Sequence, residues 1–291
     1  MMTSEQLLQN KLNAVENMVK STREDVRNEV KALKIVIGTN SEQQKSMLES
    51  VIGGLNMAIK LINKLLESSN ILPTRSTQRI RSCLAESTKQ SGDYMIQLEH
   101  NKPPFEAYCE LTDFGGGWIV IQRRSNGKVD FFRNWTDYRE GFGHFDDEFW
   151  LGLERVHQLT SNRPHELILE VQDADGNYGY ARYDEFQISG EDEQYALVKL
   201  GNYNGTAGDA LTYNKGYSFS TADRDNDGKS GGNCAEERQG AWWYYKCSYA
   251  NLNGRYQNAT NDWSSMSWYY FKKDYRGLVY SRMMIREVIE E

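Results

Sequence analysis

Asp223-Arg-Asp225-Asn-Asp227-Gly-Lys229-Ser-Gly231-Gly-Asn-Cys234, followed thirteen residues later by Cys247 across Gly240-Ala-Trp242-Trp243-Tyr244-Tyr245, is the stretch from which the rest of the chain is best read. Three alternating carboxylates in a Gly-rich loop suit a hard cation such as calcium, whose oxygen ligands come from Asp side chains and from carbonyls exposed where Gly permits unusual backbone angles. An isolated D-x-D-x-D is most simply a solvated acidic turn. Here the cysteines and the aromatic segment beside it favour a metal-braced binding site.

Two other motifs fail on their neighbours. Asp223 to Gly228 begins like an EF-hand, but the twelfth position is Cys234 instead of a bidentate Glu, and no amphipathic helices flank it. Gly228-Lys229-Ser230-Gly231-Gly232 fits G-x-S-x-G and contains G-K-S. A nucleophile elbow needs a strand before it and a helix after it, and a phosphate loop would be repelled by the preceding carboxylates.

Outward from this loop, composition divides the chain in two. All 35 aromatic residues and all four cysteines lie beyond residue 82. Residues 1–75 instead carry apolar residues at heptad spacing: Leu8, Leu12, Val15, Val19 and Val26, then Leu48, Ile52, Leu55, Ile59, Ile62 and Leu66. Steps of three and four place these on one helical face, which predicts a coiled-coil oligomerisation segment over residues 1–75. Ile and Leu at both core positions of the second stripe lean toward a homo-trimer. Gly38 and Gly53-Gly54 interrupt the helix, and Pro73 marks its end. One amphipathic helix packed on the following domain is the alternative.

Residues 76–291 are long enough for one domain with its own core. Ile119-Val-Ile121 and Leu167-Ile-Leu-Glu-Val171 read as strands, Phe149 to Leu159 as a short helix, and the stretch beyond Gly201 as Gly- and Asn-rich loop. The expected fold class is α+β with long loops.

Charge narrows the partners. Residues 1–75 hold 10 Lys/Arg against 8 Asp/Glu, so the chain's net charge of -7 becomes -9 over the remainder. An acidic globular part argues against nucleic acid. No apolar run approaches the roughly 20 residues of a membrane span, and no signal peptide is read at the start, so the beginning is expected to be mature or truncated. Four cysteines allow three connectivities, and their spacing favours local loops, Cys83 with Cys109 and Cys234 with Cys247, over buried thiols. Asn134-Trp-Thr136, Asn204-Gly-Thr206 and Asn258-Ala-Thr260 are glycosylation sequons. An oxidising, extracellular home is expected. His100, His144, His157 and His165 show no metal-ligand spacing.

Ordered landmarks from Cys83 to Arg286 then resemble one family, the fibrinogen C-terminal domain. They include Ser91-Gly-Asp-Tyr94, Tyr108-Cys-Glu-Leu111, Gly115-Gly-Gly-Trp-Ile-Val-Ile-Gln-Arg-Arg124, Glu148-Phe-Trp-Leu-Gly-Leu153, the acidic loop, Gly240-Ala-Trp-Trp243 and Met283-Met-Ile-Arg286. The ending Tyr280 to Glu287 is similar to insect members. The resemblance implies a globular domain over residues 76–291 with a mixed, mainly antiparallel sheet. It implies disulfides Cys83–Cys109 and Cys234–Cys247, and calcium on the side chains of Asp225 and Asp227 with carbonyls near Lys229 and Gly231. Asp223 is left to an outer role. The doubled Gly231-Gly232 adds one residue to the family's usual loop.

Lectin-like members bind acetyl groups or acidic sugars beside the calcium, at the position of Lys246, Cys247 and Ser248, with Trp263, Trp268 and Tyr275 on the far wall. Ser248 stands where many relatives carry His, and Arg238 where they carry an aromatic. Both changes weaken the acetyl-sugar expectation. Arg238 suits an anionic ligand such as a sialylated or uronic sugar, or else forms a surface pair with Glu237. Trp242 and Trp243 are expected in the core. Calcium in a disulfide-braced loop usually shapes backbone instead of activating water, so catalysis is not expected. The resemblance points to a secreted, calcium-dependent, carbohydrate-binding pattern-recognition protein of innate immunity, multivalent on microbial surfaces. The alternative is an angiopoietin-like ligand of a cell-surface receptor or matrix protein.

Overall fold

A computed structural model describes residues 79–100 and 102–288. The chain divides into two units, Met1–Arg75 and Ser76–Glu291. The coiled coil and trimer expected of residues 1–75 lie outside the described residues.

The second unit is organised by one ten-stranded sheet. Its path runs from β1 (Arg79–Ile80) through β2 (Gly92–Ile96), β3 (Phe105–Glu110) and β4 (Trp118–Arg124) to β14 (Leu278–Glu287), then β7 (His165–Asp173), β8 (Tyr178–Tyr183) and β11 (Tyr203–Gly205). The short β5 (Phe142–Gly143) and β6 (Phe149–Trp150) branch from β4. Within this sheet, among the described residues, only the β1–β2 pairing is parallel. The last strand therefore fills the sheet's centre, opposing β4 through Met284↔Val120 and β7 through Met283↔Leu169.

Side-chain alternation gives the sheet two different faces. Ile119, Ile121, Leu167, Leu169, Val171, Met283 and Ile285 point into the main core, covered by α2 (Leu153–Asn162) through Leu153, Val156 and Leu159. Trp118, Val120, Phe149, Ile168 and Met284 form a smaller cluster. Beside it on the sheet, Arg282 is 7% exposed and ligates Glu170 at 2.5 Å, Glu110 at 2.9 Å and Asp113 at 2.7 Å, while Arg286 and Arg182 share Glu166.

Two expectations require correction. The helix expected over Phe149 to Leu159 starts at Leu153, because Phe149 and Trp150 pair as a strand with β4. Gly152, at φ +110°, makes the break, and a Cβ there would stand 2.8 Å from the Glu140 carbonyl. The stretch beyond Gly201 is loop-rich as expected up to residue 277, but it ends in the ten-residue β14, broken in pattern by Ser281, Arg282 and Arg286.

The loops beyond β11 carry the remaining elements: α3 (Cys234–Arg238), β12 (Ala250–Asn251), β13 (Ser267–Trp268) and α4 (Tyr269–Lys272). They are held to the sheet domain by Trp242, Trp243 and Tyr244, each 0% exposed, with Trp243 Nε1 donating to the Tyr195 carbonyl at 2.8 Å. Both disulfides are present, Cys83–Cys109 and Cys234–Cys247.

Candidate functional site

Asn233 starts the site. Its Oδ1 accepts from the Ala235 and Glu236 amides and caps α3, while its Nδ2 donates to the Ala222 carbonyl at 3.1 Å. The cap thereby ties the helix that ends in Arg238 to the acidic loop. Within that loop, Asp227 accepts the Lys229 amide on Oδ1 and the Cys234 amide on Oδ2, both at 2.7 Å, and Asp225 Oδ1 accepts the Asp227 amide. Burial, and then the charge of the adjacent Asp225 carboxyl, push the Asp227 pKa up despite those two amides.

No Lys or Arg pairs with either carboxylate among the described residues; Lys229 reaches Glu237 instead. The carbonyls of Lys229 and Gly231 accept no hydrogen bond among those residues. Two carboxylates without a Lys or Arg partner, in one loop with free carbonyls and positive φ at Gly231 (+78°) and Gly232 (+108°), are oxygen donors of the type calcium takes. Asp223 stands apart: its Oδ1 accepts the Trp135 amide at 2.9 Å and the Thr221 hydroxyl at 2.7 Å. It anchors the loop to α1 (Trp135–Glu140).

Gly228 joins this loop to the neighbouring aromatic surface. Its amide donates to the Tyr245 carbonyl at 2.9 Å, and a Cβ would stand 2.4 Å from the Tyr245 ring. From Tyr245, rings run in two directions along one surface. Tyr217 stacks on it at 4.3 Å, and Tyr213 bridges it to Tyr249 at 5.5 and 5.0 Å. Tyr249 meets Tyr269 and Tyr270 at 5.7 and 5.2 Å, and Tyr269 leads through Tyr275 to Trp263. The surface was missed as a unit in the sequence, although the tyrosine density from 213 to 275 was visible there.

Arg238 lies where this row ends. It is 7% exposed, with its guanidinium 5.3 Å from the Trp263 ring and 5.1 Å from that of Tyr275. It donates to the carbonyls of Trp263 at 3.3 Å and Ser248 at 3.1 Å. The surface pair with Glu237 does not form, because Glu237 is taken by Lys229. Arg238 therefore has carbonyl and π partners but no carboxylate among the described residues.

The remaining expected site residues divide. Trp263 (59% exposed) and Tyr275 join Arg238, whereas Trp268 is 2% exposed and its Nε1 donates to Gly208. Ser248 contributes its backbone: its hydroxyl is committed to Asn214 Oδ1 at 2.8 Å, and the Asn214 amide reaches the Cys247 carbonyl. Lys246 is exposed, 5.2 Å over Tyr245. Asn251 was missed; its Nδ2 donates to the Arg238 carbonyl and its Oδ1 accepts the Tyr244 hydroxyl, fixing the helix end. Asn134, Asn204 and Asn258 of the sequons are all exposed.

The family model of the fibrinogen beta and gamma chains' C-terminal globular domain matches residues 78–288. The chain belongs to this family. Human tenascin-R is 44% identical over 197 residues, 67% of this chain and 14% of tenascin-R. Mouse angiopoietin-related protein 6 is 41% identical over 213 residues, 72% of this chain and 46% of that protein. The chain thus spans less than half the length of these curated relatives. The fibrinogen-like globe domain of human ANGPTL2 superposes with a TM-score of 0.68 at 37% identity, covering 71% of this chain and 98% of that domain. Lamprey fibrin D-dimer, solved with the peptide ligand Gly-His-Arg-Pro-amide, gives 0.67 at 27% identity, with 93% and 97% covered.

Proposed function

We propose that this fibrinogen C-terminal domain is an extracellular binding module, without catalytic activity, that presents Arg238 to an anionic group on a matrix or cell-surface partner. The observation that carries this reading is the buried guanidinium held by two carbonyls and two aromatic rings with no carboxylate. A desolvated cation without a counter-charge is costly alone and is relieved by an arriving anion. Calcium on Asp225, Asp227 and the carbonyls of Lys229 and Gly231 would neutralise the paired carboxylates and stiffen the loop that Gly228 locks to Tyr245. The similarity to tenascin-R and to an angiopoietin-related protein supports a matrix or receptor partner, and the two disulfides support an oxidising compartment. A basic peptide of the kind held by lamprey fibrin D-dimer would meet like charge at Arg238.

The calcium-dependent lectin of microbial surfaces is the second reading, favoured by the rings around Arg238. A glycan and matrix-protein array probed with the full chain, with and without a chelator, tests both. Binding to anionic probes that is lost in Arg238→Met supports the Arg238 reading. Retention of all binding in Arg238→Met, or preference for neutral acetylated sugars, overturns it.

A further inference from the structure

Arg124, the last residue of β4, is a buried cation with donors to spare. It is 1% exposed, and its guanidinium lies 3.9 Å from the centroid of the Phe131 ring. Nη1 donates to the carbonyls of Leu252 and Gly254 at 3.2 and 2.8 Å. Nε is buried without a hydrogen-bond partner, and Nη2 donates to no acceptor among the described residues. Glu148 stands 3.7 Å from Nε, with its two oxygens taken by the amides of Ser125, Asn126, Gly127 and Val129. Burial pulls the Arg124 pKa down, and Glu148 only partly opposes it.

This guanidinium lines an open cleft of about 450 Å³, within the size range of small-ligand sites. Lys128 and Arg255 line it as well, so three cations share it with one carboxylate, Asp130. Lys128 is 71% exposed and 3.9 Å from Asp147. Arg255 is exposed and forms no ion pair among the described residues, its Nη2 being held by Gln239 Oε1 at 3.0 Å. Two rings complete the lining. Phe132 is 40% exposed, and Tyr256 is fixed by its hydroxyl, which donates to the carbonyls of Ser125 and Val279. Gly127, at φ +68°, lets the loop close on that ring, from which a Cβ would stand 2.6 Å away.

We propose that this cleft binds a tyrosine side chain esterified with sulfate or phosphate, presented by a protein partner. Each part of that group has a counterpart. A desolvated guanidinium with two nitrogens still to satisfy suits a tetrahedral oxyanion, whose oxygens a planar fork can hold in pairs. Lys128 and Arg255 add exposed positive charge, and Phe132 and Tyr256 offer flat surface to the ester's ring. A bare inorganic anion would leave those rings unused, and a long polyanion would find only one buried cation. In the extracellular compartment that the two disulfides support, sulfate is the expected ester. Arg238 is not among the lining residues, so this site goes beyond the reading of Arg238 and stands without it.

The test uses the full chain and fluorescence polarisation of short labelled peptides that differ at one residue: tyrosine, sulfotyrosine or phosphotyrosine. At least one modified peptide should bind about tenfold or more tightly than the unmodified one, and its binding should weaken with salt. Preference between the two names the ester. Lys128→Glu/Arg255→Glu reverses exposed charge and should lose about tenfold or more. Phe132→Ala should lose about threefold with the salt dependence unchanged. Arg124→Lys keeps the charge but removes the planar fork, and should also lose about tenfold. Because Arg124 is buried, that variant is read only where its melting temperature is kept, and the exposed variants decide otherwise. Arg238→Met should bind like the parent chain. Equal binding of all three peptides, competition by inorganic sulfate as effective as by a modified peptide, or full binding in Lys128→Glu/Arg255→Glu would overturn the proposal. Loss in Arg238→Met with none in the cleft variants would put the anion at Arg238 and end this reading. Loss in the cleft variants alone would sustain it, whatever the fate of the Arg238 reading on the array.

Discussion

Asp227 commits both carboxylate oxygens to backbone amides and still has its pKa raised, by burial first and by Asp225 second. The sign of its pH effect follows. In the calcium-free domain the folded state holds this proton more tightly than the unfolded chain does, so protonation favours folding. As pH rises through the raised folded pKa that advantage is lost, and the ionised pair needs an outside cation. Calcium should therefore stabilise strongly near neutral pH and weakly in the ordinary carboxylate range around pH 4. At about a hundredfold excess over Kd the gain is about 2.7 kcal/mol, or roughly 5–10 °C for a domain of this size. Asp225→Asn retains an acceptor for the Asp227 amide but removes a charge, and it should abolish most of the calcium shift in a thermal melt. An undiminished shift in that variant would place the ion elsewhere.

At the scale of elements, β14 shows why part of this fold was hidden in its sequence. Ile119–Ile121 and Leu167–Val171 are apolar enough to announce strands, and the two local disulfides were legible from the cysteine spacing. In β14 the residues facing the second side are Arg282, Met284 and Arg286, and the charged pair obscures a strand until their carboxylate partners from β3 and β7 are known. The Arg238 environment was hidden for the same reason: the fate of Glu237 depends on Lys229 across the loop. Arg282→Ala should leave Glu110 and Glu170 buried without their partner and cost about 3–5 kcal/mol in denaturant unfolding. Burial alone would raise the Glu110 pKa, but the amide and hydroxyl of Thr112, the amide of Asp113 and the hydroxyl of Ser91 outweigh it and hold the group at about 2. Its stabilising contribution is complete above the unfolded value near 4.5 and is lost as pH falls toward about 2. Glu110→Gln should accordingly flatten acid unfolding between those limits, and an unaltered acid profile would assign the lost stability to other carboxylates.

For the whole molecule, the question is how one binding face gains a firm hold on a partner. Single surface ion pairs are individually weak, whereas linking several copies of the face raises avidity by about 10² to 10⁴ without new contacts. We propose that the heptad stripes of residues 1–75 supply such linkage. Leu48, Ile52, Leu55, Ile59, Ile62 and Leu66 repeat at alternating steps of four and three, with Ile and Leu mixed at both core positions, which leans toward three strands over two. Gly53-Gly54 falls within that stripe and would weaken a helix there, so assembly should be sensitive to a single core charge. We expect light scattering to give a trimer for residues 1–291, a monomer for residues 76–291, and a weakened oligomer for Ile59→Asp. Binding to a surface coated with an anionic matrix partner should follow the same order, while binding to a small soluble anionic probe should be equal in all three. A monomeric full chain at micromolar concentration, or equal surface binding by residues 76–291, would mean that affinity resides in the single domain.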